Sequence, residues 1–277
     1  MSINFMMFHN HDHGTIRGNL ALKIDREQAL IAAYLLLTLS CWLTTLSKPL
    51  RDISSHGKTL VNDKKDVGLW DKFSRLFVPK HWFLHFYVVG TISSFLVLKP
   101  EVKQWNIHLV LPLALQVVRR FYECLVVHAW ESKSKMHVLI YLVGIFHYIL
   151  LPFNFLFDKA PSNNVLQILS ILTCLYAQYE QHIHHRILSR LRREHKGSSY
   201  ILPTGRWFEY IGSPQYLTEI IIYLCFWGIL QNNTAGLLFV WVSSNQLISS
   251  LRNHQYYRGN FKDYKSQNRK ALIPFLF

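Results

Sequence analysis

The feature that most restricts this chain is a run of about twenty positions, residues 28–47 (QALIAAYLLLTLSCWLTTLS), without a single charged side chain. A helix of that length crosses the roughly 30 Å of a bilayer's hydrocarbon core. Further apolar runs cover residues 81–98, 106–118 with a continuation to about 128, 136–157, 164–178, 215–230 and 235–251, giving seven candidate spans. A helix lying on a soluble core would show polar residues every three or four positions. The first and fourth runs do not, and the sixth is unbroken after Glu219. The sequence therefore predicts an all-α, polytopic integral membrane protein with seven transmembrane helices. It predicts one membrane domain over residues 28–277 behind an N-terminal arm of residues 1–27. The bland alternative is a soluble helical bundle with an unusually apolar core.

A formal net charge of +14 would suit a nucleic-acid partner, but its placement argues for topology instead. If seven segments span, 22 of the 30 Lys and Arg residues fall in the connections of one side and 6 in those of the other. The positive-inside rule then makes the first side cytosolic, with the N-terminus luminal and the C-terminus cytosolic. No zinc-finger spacing, basic zipper or RNA-binding signature supports a nucleic-acid reading. Cys41, Cys124, Cys174 and Cys225 lie far apart within apolar runs, so they indicate neither a disulfide framework nor a zinc ribbon. The polar first twenty residues are not a cleavable signal. His9, His11 and His13 read as a metal-binding trio or, more simply, as part of a flexible arm. Asn232 heads an N-x-[ST] match on the luminal side, close to the bilayer.

Polar residues within apolar segments carry the most information, because an ionised group at mid-bilayer costs about 3 kcal/mol unless paired or hydrated. The third run continues into VVRRFYECLVV. Arg119 and Glu123, spaced i, i+4, share a helix face and can pair across an intramembrane cavity. The plainer reading ends the helix near Val118 and leaves the charges among headgroups. A second dense stretch, the fifth connection, holds Gln178, Gln181, His182, His184, His185, Arg186, Arg190, Arg192 and Arg193. Its HIHH resembles one histidine box of membrane di-iron oxygenases, but those enzymes need several boxes and no second one occurs; no metal site is expected. Arg and His on the cytosolic side suit a multiply charged anion such as a dinucleotide with a 2′-phosphate. The plain alternative is a solvated basic loop near anionic lipid. No G-x-G-x-x-G follows a strand, so a nucleotide would bind between helices. The aromatic, basic C-terminal tail is expected to fold back onto the membrane surface or over a site.

Residues 200–219 (YILPTGRWFEYIGSPQYLTE) and the C-terminus (NHQYYRGNFKDYKSQNRKALIPFLF) resemble the C-terminal domain of the steroid 5α-reductases. Residues 119–144, 78–90 (VPKHWFLHFYVVG) and the GKT at 57–59 resemble the type 3 branch of that family, the polyprenal (polyprenol) reductases of dolichol synthesis. The resemblance implies a multi-pass enzyme of the endoplasmic-reticulum membrane that uses NADPH to reduce the α-isoprene double bond of a long-chain polyprenyl lipid. Its product leads to the lipid carrier of protein N-glycosylation. By the same resemblance, Arg193, Tyr200, Gln215, Glu219, Asn253, His254 and Tyr257 line the NADPH pocket; His182 joins them as a cofactor-binding candidate on the charge of the basic stretch alone. Arg119 and Glu123 fall where family members also hold cofactor or substrate. Gln215 stands where Asn is usual, Asn253 where steroid-reducing relatives have His, and Glu123 where they often have Tyr; the last two changes disfavour a steroid substrate.

Hydride addition to a carbon–carbon double bond needs an electron sink, which an α,β-unsaturated aldehyde has and an allylic alcohol lacks. Polyprenal is therefore the expected immediate substrate. Charge builds on the aldehyde oxygen, and Glu123 (if protonated), His254 or Tyr257 is expected to supply the hydrogen bond or proton there. The rival readings are a reductase of another lipid enone, steroid or enoyl-CoA, and a non-enzymatic membrane lipid-binding or transport protein. No internal repeat of the transporter kind is visible.

Overall fold

A computed structural model describes residues 13–47, 50–51, 73–103, 107–131, 134–156, 163–195 and 201–274. His9, His11, the GKT at 57–59 and Tyr200 lie outside the described residues. The principal helices are α1 (His13–Leu46), α2 (Phe83–Lys103), α3 (Ile107–Tyr122), α4 (Val138–Leu150), α5 (Asn164–Glu194), α6 (Pro214–Leu230), α7 (Asn233–Asn260) and the short α8 (Lys262–Ser266). A short antiparallel pair, β1 (Phe77–Pro79) with β2 (Lys135–His137), joins the entries of α2 and α4 in the register Phe77↔His137.

Among the described residues, Arg26–Leu46, Lys80–Lys99 and Val138–Phe155 are helical stretches long and apolar enough to cross a membrane; Pro214–Leu230 is a shorter apolar helix. The pattern of burial fits lipid rather than water outside. On α1, Leu30, Tyr34, Leu37 and Cys41 form one buried stripe, whereas Leu35, Leu36, Leu39, Trp42, Leu43 and Leu46 are exposed. The α5 surface likewise exposes Val165, Leu166, Ile168, Leu169 and Leu172. A water-soluble surface rarely carries apolar patches so continuous. The chain is a helical membrane protein.

Helix ends follow local chemistry. Asn163 Oδ1 accepts the Leu166 N–H at 2.9 Å and caps α5, and Asn232 Oδ1 does the same for α7 from Ala235 at 2.8 Å. Pro214 opens α6, where a missing N–H costs nothing. Because the Asn232 side chain also lies 3.4 Å from the Asn154 carbonyl, the amide of the N-x-[ST] match is engaged in holding the fold.

Three boundaries differ from the hydropathy reading. Residues 13–27, expected as an arm, are helical. The stretch expected as the fifth connection continues α5 to Glu194, and α7 runs past its apolar part to Asn260. Hydropathy marks where lipid ends, not where a helix ends, and residues 179–194 contain neither Gly nor Pro to stop one. At 1.5 Å per residue α5 is about 46 Å long, well beyond a hydrocarbon core of about 30 Å, so its basic turns project past it. The chain reverses between α5 and α6 and again between α6 and α7. The C-terminal turns of α5 and α7 and the first turn of α6 therefore meet at one end of the bundle, where the site lies.

Candidate functional site

The polar end of the bundle is organised around one carboxylate. α3 does not stop at Val118; it passes Arg119 and Arg120 and widens into a π-helical turn, Glu123–Val127. That turn puts Glu123 inside the protein, with no solvent exposure. Arg119 and Arg120 both pair with it, one on each oxygen. From α5, His182 Nδ1 lies 2.9 Å from Oε1 and His185 Nδ1 lies 2.7 Å from Oε2. The same His185 nitrogen is 2.8 Å from Arg120 Nη1, and a single ring nitrogen can serve only one of these partners. Arg120 also donates to the Tyr87 hydroxyl at 2.9 Å and stacks over its ring at 5.0 Å. Two arginines and two histidines thus converge on one buried acid.

Arg119 extends the network to α6. It donates to Gln116 Oε1 at 2.6 Å and to Gln181 Oε1, and Gln181 Nε2 in turn donates to Glu219 and, at 3.3 Å, to the Gln215 carbonyl. The Gln215 side-chain Oε1 is buried with no hydrogen-bond partner among the described residues. The end of a helix leaves its last carbonyls unused. Here Ser189 takes that of Val127, and Arg193 donates to those of Val126 and Val127 at 2.9 and 2.8 Å. Arg193 is thereby a clamp between α3 and α5.

A cavity of about 390 Å³ opens beside this network. Its walls change character along the helices: Lys80, His128 and Arg192 come from helix ends at the polar end of the bundle, whereas Phe86, Tyr148, Tyr223 and Trp241 come from within α2, α4, α6 and α7. Lys80, Arg120, His128, His185, Arg192 and Arg252 make one part cationic. Phe86, Tyr148, Tyr223, Trp241, Val242 and Ile248 make the other aromatic and apolar. Gln215 and Glu219 lie in the wall on successive turns of α6. Of the site residues the sequence offered, Gln215 and Glu219 line the cavity. Arg119, Glu123 and His182 stand behind its wall and act on it through Arg120 and His185.

Asn253, His254 and Tyr257 form a neighbouring group on the projecting end of α7. Asn253 Nδ2 donates to Ser213 Oγ at 3.2 Å, His254 Nδ1 lies 2.7 Å from the Tyr264 hydroxyl, and the Tyr257 ring packs 5.3 Å from that of Tyr264. The tail folds back to make this contact: the Lys270 N–H donates to the Tyr210 carbonyl at 3.0 Å, and buried Arg269 donates to that of Pro203 at 2.7 Å. Burial, with Arg258 and Lys270 nearby, holds the His254 imidazole below its ordinary range, so it is neutral at pH 7. Burial beside Tyr216 and Tyr264 pushes the Tyr257 phenol well up, which keeps it protonated.

Sequence reasoning left several lining residues out of the site. Arg120 precedes Glu123 by three positions and was as available for helix pairing as Arg119. Lys80 and Arg192 carried only their charge as a signal. His147 and Tyr223 are polar groups in apolar helices, the kind of residue the cost of burial singles out.

His184, beyond the apolar part of α5, gives a pH-dependent test. Both ring nitrogens are buried without a hydrogen bond among the described residues, and the neighbouring Glu180 carboxylate is held by Arg206. Burial, then the Arg206 charge, lowers its pKa to about 4. Between that value and the ordinary value of about 6.5 the unfolded chain takes up a proton that the folded one refuses. Stability therefore falls as pH drops through 6.5 and levels off below 4. Thermal melts of detergent-solubilised protein across this range should show the decline, and His184→Gln should make it measurably shallower.

Comparisons with known proteins give the family. Residues 134–277 match the family model described as 3-oxo-5-alpha-steroid 4-dehydrogenase. The chain is 33% identical over 240 residues to polyprenal reductase of Saccharomyces cerevisiae, covering 85% of this chain and 90% of that protein. It is 28% identical over 318 residues to polyprenal reductase of Homo sapiens, covering 96% and 98%. The Drosophila melanogaster polyprenal reductase is 29% identical over 253 residues, 72% of this chain and 76% of that protein. Matched over more than half its length, and with a relative one-third identical across nearly all of both chains, this protein belongs to the 3-oxo-5-alpha-steroid 4-dehydrogenase family.

Proposed function

We propose that this protein is a polyprenal reductase: it reduces the α-isoprene double bond of a long-chain polyprenal with NADPH, in dolichol synthesis at the endoplasmic-reticulum membrane. The observation that carries the reading is the single cavity with a cationic part and an aromatic, apolar part, in a chain similar across nearly its whole length to proteins named polyprenal reductase. A dinucleotide needs the first and an isoprenoid the second. The proposed topology is seven spans, with the N-terminus luminal and the C-terminus cytosolic, which puts the cationic part on the NADPH-rich side.

The residues fit NADPH. Lys80, Arg192 and Arg252 supply charge for phosphates, and the unpartnered Gln215 Oε1 is an acceptor suited to a carboxamide N–H. Glu219, Asn253, His254, Tyr257 and, outside the described residues, Tyr200 complete the proposed cofactor pocket, while Arg119, Glu123, His182 and Arg193 fix its walls. Bound there, the cofactor supplies a hydride. The protein's part is to hold the aldehyde against that hydride, exclude water with aromatic walls, and stabilise the charge on oxygen. At about 390 Å³ the cavity lies at the small end of the range of roughly 300–1,000 Å³ for ligand pockets, so only the reacting ends of the two molecules share it: the isoprenoid tail stays among lipids, and the rest of the dinucleotide extends beyond it toward Asn253, His254 and Tyr257.

Turnover of purified full-length protein with NADPH tests the proposal. Polyprenal should be converted to product two mass units heavier, while polyprenol and a steroid enone are left unchanged. Preferential reduction of the steroid enone would assign a different substrate. In the same preparation His254→Ala should raise the NADPH dissociation constant roughly tenfold, the equivalent of about 1.4 kcal/mol and the size of one lost hydrogen bond, with only a small fall in the melt from the lost Tyr264 contact. An unchanged constant removes His254 from the pocket.

A further inference from the structure

The α6 face that carries Gln215 and Glu219 continues one turn on to Tyr223, about 6 Å further at 1.5 Å per residue. Tyr223 is buried in the cavity wall together with His147 of α4 and Trp241 of α7. Its hydroxyl oxygen lies 2.9 Å from His147 Nε2. On the other side of the same imidazole, Trp241 Nε1 donates to Nδ1 at 3.3 Å. An indole N–H can only donate, so His147 Nδ1 is the acceptor, and a neutral ring then carries its hydrogen on Nε2. That hydrogen goes to the Tyr223 oxygen. The Tyr223 hydroxyl hydrogen is therefore unspent, and among the described residues it has no acceptor. A buried tyrosine hydroxyl normally finds a partner.

We infer that Tyr223, oriented by the Trp241–His147 chain, donates the hydrogen bond to the carbonyl oxygen of the bound unsaturated aldehyde. This rests on the reduction proposed above. The reaction balances as follows. The β carbon gains a hydride with its electron pair from the reduced nicotinamide, which is oxidised. The C=C pair moves between the α carbon and C1, and a carbonyl pair moves onto oxygen, where the Tyr223 O–H meets the developing charge. A proton from solvent then adds to the α carbon, and the carbonyl re-forms. Tyr223 ends as it began.

The other candidates are worse placed for this task. Both Glu123 oxygens are occupied by donors, and a carboxylate so held has no proton to give. His254 and Tyr257 lie outside the cavity lining, against Tyr264. His147 and Trp241 are positioning residues, since they act through the phenol.

The test is Tyr223→Phe, which keeps the ring and removes the hydroxyl. With polyprenal, kcat should fall about 100- to 1,000-fold, the cost of losing one preorganised donor to an oxyanion, with NADPH affinity unchanged. Infrared difference spectra of polyprenal bound with NADP+ should show the C=O stretch displaced to lower frequency in the wild type and not in Tyr223→Phe. His147→Gln, whose amide can accept from Trp241 and donate to Tyr223, should keep far more activity than His147→Leu, and this pair carries the test if Tyr223→Phe does not fold. Full kcat and a displaced carbonyl stretch in Tyr223→Phe would overturn the inference and leave the reductase reading standing. A wild-type protein that neither binds nor reduces polyprenal would remove both.

Discussion

Glu123→Gln is expected to be the most destabilising conservative substitution in the protein. The carboxylate is fully buried and answers two guanidinium groups and two imidazoles. Glutamine has nearly the same shape but no charge, so Arg119 and Arg120 would be left as buried cations without their paired carboxylate. Removing one partner of a buried ion pair costs about 3–5 kcal/mol, because the orphaned charge keeps its desolvation penalty. For a chain of this size that corresponds to a fall in melting temperature of roughly 10 °C. Glu123→Lys should yield no folded protein, since three cations would then crowd one turn. The double variant Arg119→Gln/Glu123→Gln should recover part of the loss, which separates uncompensated charge from lost shape. Melts in detergent decide the matter. A Glu123→Gln protein that melts with the wild type would show that the cluster is solvated.

Arg192→Ala is expected to cost the most in cofactor affinity. Arg192 is an exposed side chain on the projecting part of α5, at the cationic part of the cavity with Lys80 and Arg252. A charge-assisted hydrogen bond contributes about 1.5–3 kcal/mol, so the NADPH dissociation constant should rise roughly 10- to 100-fold. The difference should shrink as salt is added, because exposed charges are screened over about 10 Å at 0.1 M. Arg192→Lys should recover part of the affinity by keeping charge while losing the guanidinium fork. The melt should not change. Equal NADPH binding by Arg192→Ala and wild type would move the phosphates elsewhere.

The frame of the fold was legible because lipid imposes it. Uncharged runs locate the helices, and the Arg119–Glu123 spacing locates the buried pair. The extension of α5 to Glu194 was hidden because hydropathy scores the solvent around a helix, and the solvent changes before the helix ends. The rest of the Glu123 cluster was hidden for a different reason: His182 and His185 reach it from another helix, and no local spacing encodes that meeting. The charge of Arg193 suggested an anion, yet the helix end at Val127 offers it two backbone carbonyls, a demand visible only once that end is located. His147 and Tyr223 show the converse. Each looks incidental in its own apolar helix, and only their 2.9 Å approach gives the pair a purpose.

Reduction of the polyprenal double bond by hydride from NADPH can be followed with isotope. Purified full-length protein is incubated with polyprenal and NADPH dideuterated at C4 of the nicotinamide, and the product is sequenced by tandem mass spectrometry. One deuterium is expected at the β carbon of the terminal isoprene, with the aldehyde retained and a solvent hydrogen at the α carbon. Deuterium on the aldehyde carbon, giving an unsaturated alcohol, or no deuterium in any product, would contradict it.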